Sequence, residues 1–185
     1  PRDRPQRYER ILDLLLGQWD KVREGESLAE AVKMPSWESR DFLPLLDRLC
    51  YEAHRDAGSG DGRGQLSRAA LYLALIDFFK AARAPDPGHS ALCCLDYFEQ
   101  RSGLLVADSG DTYAFAHLTL QEHGAGRYLA VQSEEPAGLL LKHRADDRWR
   151  EPIMLGAGLL RPGDLNTLLA DLIDREEANE PKPDA

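Results

Sequence analysis

Long apolar runs are missing from this chain. The longest clean ones span only a few residues, such as Gly138-Leu-Leu-Leu141, far from the roughly 18 to 20 needed to cross a bilayer. A membrane-spanning helix is therefore not expected. A basic N-terminus followed by an apolar stretch is also missing, so no secretory leader is visible. Cysteine is scarce: Cys50, Cys93 and Cys94 are too few and wrongly spaced for a disulfide framework or a zinc site. A reducing cytoplasm is the compartment this usage predicts. His54, His89, His123 and His143 are scattered, and no His-x-x-x-His or Cys-x-x-Cys spacing occurs, so no metal site is predicted. Positive charge is short as well. Lys and Arg number 23 against 32 Asp and Glu, a net of -9, which disfavours a broad grip on a phosphate backbone. What remains is an ordinary globular composition, 43% hydrophobic and 30% charged, over 185 residues, enough for one or two small domains. The first residue is Pro, so a longer parent polypeptide is expected.

The dominant periodicity is helical. From about Gln6 to Arg23, Ile11, Leu12, Leu15, Leu16, Trp19 and Val22 fall on one stripe, with Arg7, Glu9, Arg10, Asp13, Asp20 and Lys21 opposite. Leu28 to Lys33 reads as a short helical turn. Ser39 to Arg55 carries Phe42, Leu45, Leu46, Leu49 and Ala53 on one face, with Pro44 either in the first turn or at a kink. Ser67 is a candidate cap for a helix reaching about Ala82, ended by Ala84-Pro-Asp-Pro-Gly88. Ser90 to Arg101 is a further helix, with Leu92, Cys94, Leu95 and Phe98 expected to face inward and Gly103 as its stop. Trp19, Trp37 and Trp149 read as core anchors.

Gly58-Ser-Gly-Asp-Gly-Arg-Gly64 is the most flexible stretch, and glycine-rich loops can cradle phosphate. A P-loop needs Gly-Lys-Ser or Gly-Lys-Thr entering a helix after a strand. None of the five lysines is followed by Ser or Thr, and the loop follows a helical pattern. A solvated linker is the expectation. The convincing β signal comes later. Leu104-Leu-Val106, the turn residues Asp108-Ser-Gly-Asp111 and the alternating Thr112-Tyr-Ala-Phe-Ala-His117 predict a two-stranded hairpin, with Tyr113, Phe115 and His117 on one face. Helices followed by a hairpin form the pattern of a winged-helix domain. Thr119-Leu-Gln-Glu122 then matches a capping box opening a helix to about Val131. Helices over about Pro136–His143, Asp147–Leu160 and Pro162–Ala178 follow, and Asn179 to Ala185 should fray. The fold class predicted is mainly α, a winged-helix domain with one short β-hairpin followed by a small helical bundle. The expected division is a helical connector over 1–34, a winged-helix domain over 35–132 and the start of a second helical domain over 133–185.

The run Tyr113-Ala-Phe-Ala-His-Leu-Thr-Leu-Gln-Glu-His-Gly-Ala-Gly-Arg-Tyr-Leu-Ala130 resembles a signature of NACHT-type NTPases, signal-transducing P-loop ATPases of the STAND class. Their pattern is Phe-x-His-x-(Ser/Thr)-(Phe/Leu)-Gln-Glu-(aromatic)-x-Ala-Ala-x-(Tyr/Phe)-Leu. Phe115, His117, Thr119, Leu120, Gln121, Glu122, Ala125, Tyr128 and Leu129 match it; His123 stands where an aromatic is usual, and Gly124 and Gly126 where alanines are common. Arg7 to Asp20 is similar to the Tyr- and Leu-Leu-x-x-Trp-bearing stretch after the family's nucleotide core. Arg148 to Leu160 is similar to a Trp-x-Glu helix further on.

The resemblance implies the region beyond the nucleotide core, with the P-loop and the Walker B acid upstream. It implies a regulatory, autoinhibitory segment that senses the nucleotide state, and no enzyme activity of its own within a parent ATPase. ATP or ADP would be bound in the intact parent only. The upstream core of the same chain would be the partner, and a homo-oligomer of the activated parent is allowed; no nucleic acid and no membrane partner is expected. His117 would be the residue that reaches the β-phosphate of ADP, with Phe115, Thr119, Gln121 and Glu122 as supporting motif positions. Its place agrees with that role, because a helix N-terminus presents free N–H groups and a dipole that favours an anion. Glu122 has the simpler role of capping-box partner to Thr119, and Arg127 the simpler place on a solvated face. No carboxylate pair has a catalytic setting. Two other readings compete. A DNA-binding winged-helix regulator would read its site with Ser90–Arg101, a helix with two acids and one arginine, which is the reverse of a groove reader. The other is a helical protein-interaction module.

Overall fold

The computed structural model describes residues 4–18, 26–58, 62–108 and 110–179. The first helix, α1 (Arg4–Asp13), continues as a π-helical turn over Leu14–Gln18. Leu12 and Leu16 are buried, while Ile11 and Leu14 remain exposed on its outer side. Trp19 and Val22 of the predicted stripe lie outside the described residues. Next comes α2 (Leu28–Ala31), opened by a complete capping box: the Ser27 hydroxyl accepts from the Glu30 N–H at 3.3 Å, and the Glu30 carboxylate accepts from the Ser27 N–H at 2.9 Å. A 3-10 turn over Ser39–Phe42 leads into α3 (Leu43–Asp56), where Pro44 sits in the first turn and costs no hydrogen bond.

A three-residue strand, β1 (Gln65–Ser67), comes before α4 (Arg68–Ala81). Ser67 caps α4 by accepting from the Ala70 N–H at 3.1 Å. The following helix, α5 (Pro87–Asp96), continues as a π-helical turn over Tyr97–Arg101. It begins three residues earlier than the sequence pattern suggests. Asp86 is its cap, accepting from the His89 N–H at 3.0 Å, and Pro87 occupies the first turn. The proline cluster read as a break thus both ends α4 and starts α5. Gly103, at φ +62°, takes the left-handed conformation that stops the helix.

The sheet has three strands rather than the two expected. β2 (Leu105–Ala107) and β1 both pair antiparallel with β3 (Thr112–Phe115), giving the order β1-β3-β2, with Leu66 opposite Tyr113 and Leu105 opposite Phe115. Gln-Leu-Ser is too short to show a period of two, and only its distant partner makes it a strand. Helix, strand, helix, helix and hairpin wing follow in winged-helix order. Beyond the wing come α6 (Leu118–Val131), α7 (Pro136–Lys142) and, after a 3-10 turn at Asp147–Trp149, α8 (Arg150–Ala157). The last helix is α9 (Pro162–Asn179).

Two apolar clusters hold these elements. The first joins α1 to α5 and the sheet through Phe42, Phe79, Tyr97, Phe98 and Phe115, with Trp37 edge-on to Phe42 at 5.0 Å. The second gathers Ala137, Leu140, Leu141, Trp149 and Leu168. Helix α6 belongs to both: Leu120 enters the first, Ala125 and Leu129 the second. Any displacement of α6 therefore disturbs both clusters at once, because close-packed interiors shift in discrete steps.

Candidate functional site

The site is built where β3 ends and α6 begins. Ala116 N–H closes the sheet on the Leu104 carbonyl at 2.9 Å, and the chain then turns into the helix at His117. His117 is the N-cap residue. Its backbone is extended, at φ -129° and ψ 121°, and its carbonyl accepts from the N–H groups of Leu120 at 3.1 Å and Gln121 at 3.4 Å. Its imidazole makes no capping hydrogen bond and is exposed. The face of Tyr113 and Phe115 turns into the core, but His117 does not follow it, because the strand stops at Phe115. What His117 offers chemically is one exposed imidazole beside the first-turn N–H groups of a 14-residue helix. Such a set can donate to a single oxygen of an anion.

The predicted capping box at Thr119 and Glu122 does not form. With His117 as the cap, Thr119 is already the second helical residue and is exposed. Glu122 is half-buried instead, and burial, then the neighbouring Glu151 carboxylate, raise its carboxyl above the usual range. The other motif residues build the helix interfaces. Phe115, Leu120, Ala125 and Leu129 are core, and Tyr128 stacks on Tyr51 at 4.5 Å.

Gln121 is wholly buried and uses all of its amide. Its Oε1 accepts from the Gly64 N–H at 3.2 Å, and its Nε2 donates to the Gly62 carbonyl at 3.1 Å and to His54 Nδ1 at 3.1 Å. Because Nδ1 accepts, His54 carries its proton on Nε2 and donates it to the Arg148 carbonyl at 3.0 Å. Burial lowers the His54 pKa, which keeps the ring neutral as this network requires. The glycine loop is therefore not a solvated linker at its end. A Cβ at Gly64 would lie 1.6 Å from the Ala53 carbonyl oxygen of α3, so only glycine fits, and a Cβ built on Gly62, at φ +81°, would stand 3.5 Å from the side chain of Leu118. Sequence reading missed this network. A glutamine among apolar positions of α6 and two glycines flanking Arg63 were its only trace.

Arg127 does not face solvent: its side chain pairs with Asp47 of α3 at 3.2 Å, and Gln132 Nε2 also donates to that carboxylate at 3.2 Å. Leu92 is not inward but 53% exposed, whereas Cys94, Leu95 and Phe98 are buried as expected. The face of α5 that would read DNA in a winged-helix regulator is partly covered by the segment before it. Ser90 Oγ donates to the Val32 carbonyl at 2.8 Å, and Arg101 donates to the Glu26 carbonyl at 2.6 Å. His123 is fully buried, stacks on Tyr8 at 4.9 Å, and has no hydrogen-bond partner at either ring nitrogen. Burial, then the Arg127 charge, lowers its pKa to about 4. Among the described residues, no group of three or more His, Cys, Asp or Glu could hold a metal ion, and no helix is long and apolar enough to cross a membrane.

Three helices, a three-stranded sheet with a wing, and a helix growing from the wing's last strand define a winged-helix module, a non-catalytic class of domain. Residues 4–132 match the family model described as the winged helix-turn-helix domain C-terminal to NACHT, and the chain belongs to that family. No curated protein and no solved structure matches it.

Proposed function

We propose that this chain is the nucleotide-state-sensing, autoinhibitory part of a NACHT-type STAND ATPase whose P-loop core lies upstream in the same polypeptide. ADP or ATP is held by that core, and the isolated chain binds neither. In the ADP-bound state the winged helix closes on the core, and His117 donates a hydrogen bond to a phosphate oxygen. Exchange for ATP releases it, exposing surfaces for assembly of the activated parent in the cytoplasm. The connector over 1–34 joins core to winged helix, and 133–185 begins a second helical domain.

The observation that supports this reading is the contrast within one motif. Phe115, Leu120, Gln121, Ala125 and Leu129 are buried, while His117, like Thr119 beside it, stands exposed at the mouth of α6, and its ring is uncommitted to a cap. His117 is the exposed motif residue that carries a ring able to donate to a phosphate oxygen. ADP titration of the intact protein and its His117→Ala variant tests the proposal: weaker ADP binding with the fold retained supports it, and equal binding rejects it.

A DNA-reading function finds less support. The exposed residues of α5 and its π-helical turn are His89, Leu92, Asp96, Gln100 and Arg101, which hold one arginine and no basic row, and residues 26–32 lean on that helix.

A further inference from the structure

The Gln121 side chain behaves as a missing strand partner. Its amide accepts from the N–H after Arg63 and donates to the carbonyl before it, the pair of bonds that a neighbouring backbone would make in a β-ladder. Only a planar group with both a donor and an acceptor does this. Glutamate lacks the donor, and asparagine is a methylene shorter. The second Nε2 hydrogen goes to His54, so one rigid amide holds the loop and the imidazole together.

From His54 the chain of contacts continues to the C-terminal helices. Its Nε2–H bonds the Arg148 carbonyl, and its ring meets Trp149 edge-on at 4.7 Å. Arg148 in turn reaches back to the Ala57 carbonyl at the start of the glycine loop. Trp149 stacks on His143 at 3.9 Å and belongs to the second apolar cluster. The near end of the same path lies at the proposed phosphate contact: a Cβ built on Gly62 would stand 3.5 Å from the side chain of Leu118, the residue after His117.

We propose that Gln121 is the positioning residue of the His117 end, and that through His54 it carries a displacement of loop 62–64 to Arg148 and Trp149. The motion would begin when a partner docks at His117, and in that respect the inference rests on the reading above. The relay itself does not need the partner, since it is built within this chain. Buried and fully satisfied amide and imidazole groups transmit geometry because slippage would leave a polar atom unpaired in a dry interior.

The test uses the 185-residue chain without nucleotide, so its failure is separate from any failure at ADP. Gly62→Ala is the perturbation: the left-handed backbone at φ +81° resists a side chain, while the new Cβ meets Leu118 only at ordinary contact distance. The readouts are the His54 ring nitrogen signals and the Trp149 indole signal by NMR. In the otherwise unsubstituted chain, His54 should show the Nε2–H tautomer, and Gly62→Ala should shift both signals. In a Gln121→Met background the Trp149 response should vanish. His54→Phe keeps a ring against Trp149 but lacks the nitrogens, and should abolish the response in the same way; it serves alone if Gln121→Met does not fold. An equal Trp149 response in all backgrounds would overturn the proposal, because packing alone would then carry it. No response to Gly62→Ala in the otherwise unsubstituted chain would overturn it too.

Discussion

Gly126 and Gly156 meet where α6 crosses α8. A Cβ on Gly126 would stand 2.4 Å from the Pro152 carbonyl oxygen and 3.0 Å from the Gly156 nitrogen, and one on Gly156 would stand 2.8 Å from the Gly126 carbonyl oxygen. The two helices thus touch backbone to backbone. Elsewhere on α6, Gly124 lets Cys50 of α3 approach, at 2.5 Å from where a Cβ would be. Alanine at either position does not fit this spacing, and the two α6 glycines set how closely the helix lies between its neighbours.

Gly126→Ala should therefore destabilise the chain, although alanine favours helices by up to about 1 kcal/mol over glycine. Overpacking against a backbone carbonyl costs about 1–3 kcal/mol, and the neighbour cannot move as a side chain would. Urea unfolding should give a lower midpoint for the variant. A higher midpoint would mean that α8 shifts freely.

The buried His123 ring predicts a pH dependence. Its pKa is about 4 in the fold and near 6.5 when unfolded. Between those values the unfolded chain holds a proton that the native chain does not. The stability this ring contributes is thus complete above about pH 6.5 and lost as pH falls towards 4, to the extent of about 3 kcal/mol. Burial also lowers His54 and His143, which adds loss of the same sign. His123→Phe restores the aromatic of the family pattern and removes two unpaired ring nitrogens, so it should be neutral or stabilising at about pH 7 and should flatten the acid slope. Stability measured from about pH 4 to 7.5 decides this; an unchanged slope in the variant would contradict it.

Asp47 is 1% exposed and Arg127 12%, an ion pair held between α3 and α6 with Gln132 as a second donor. Removing Asp47 takes away the carboxylate that Arg127 and Gln132 share, and breaking a buried pair costs about 3–5 kcal/mol. Asp47→Ala should lower the unfolding free energy by that order. Breaking the far more exposed Arg40–Glu38 pair should cost less than about 1 kcal/mol. Similar small losses in both variants would show that water already reaches Asp47.

Duplex DNA should not bind the chain with saturable, salt-sensitive affinity. The net charge of -9 opposes the phosphate backbone, and residues 26–32 lean on α5. A gel shift at low salt checks this.

Much of the architecture was legible in periodicity and caps. The stripe of α3, the Ser67 cap, the Gly103 stop and the wing all rest on local chemistry that the chain spells out. What stayed hidden depends on distant partners. Gln65–Ser67 is a strand only because β3 lies beside it, and Gly64 is constrained only because Ala53 and Gln121 meet it. The Thr119–Glu122 spacing fits a cap, but the helix starts at Leu118, since the strand ends two residues before His117. Arg127 reads as solvated until α3 brings Asp47 to it. The motif singles out His117, and the structure adds its exposure.

The most direct test is ADP affinity of the intact protein, with and without His117→Ala. A hydrogen bond to a charged phosphate contributes about 1.5–3 kcal/mol, which corresponds to a roughly 10- to 150-fold change in affinity. The His117 ring is exposed, so its removal should leave circular dichroism and melting of the 185-residue chain unchanged. If His117 holds the phosphate, ADP binding weakens by about that factor in a protein that is equally folded. Equal ADP affinity in two equally folded proteins would contradict it.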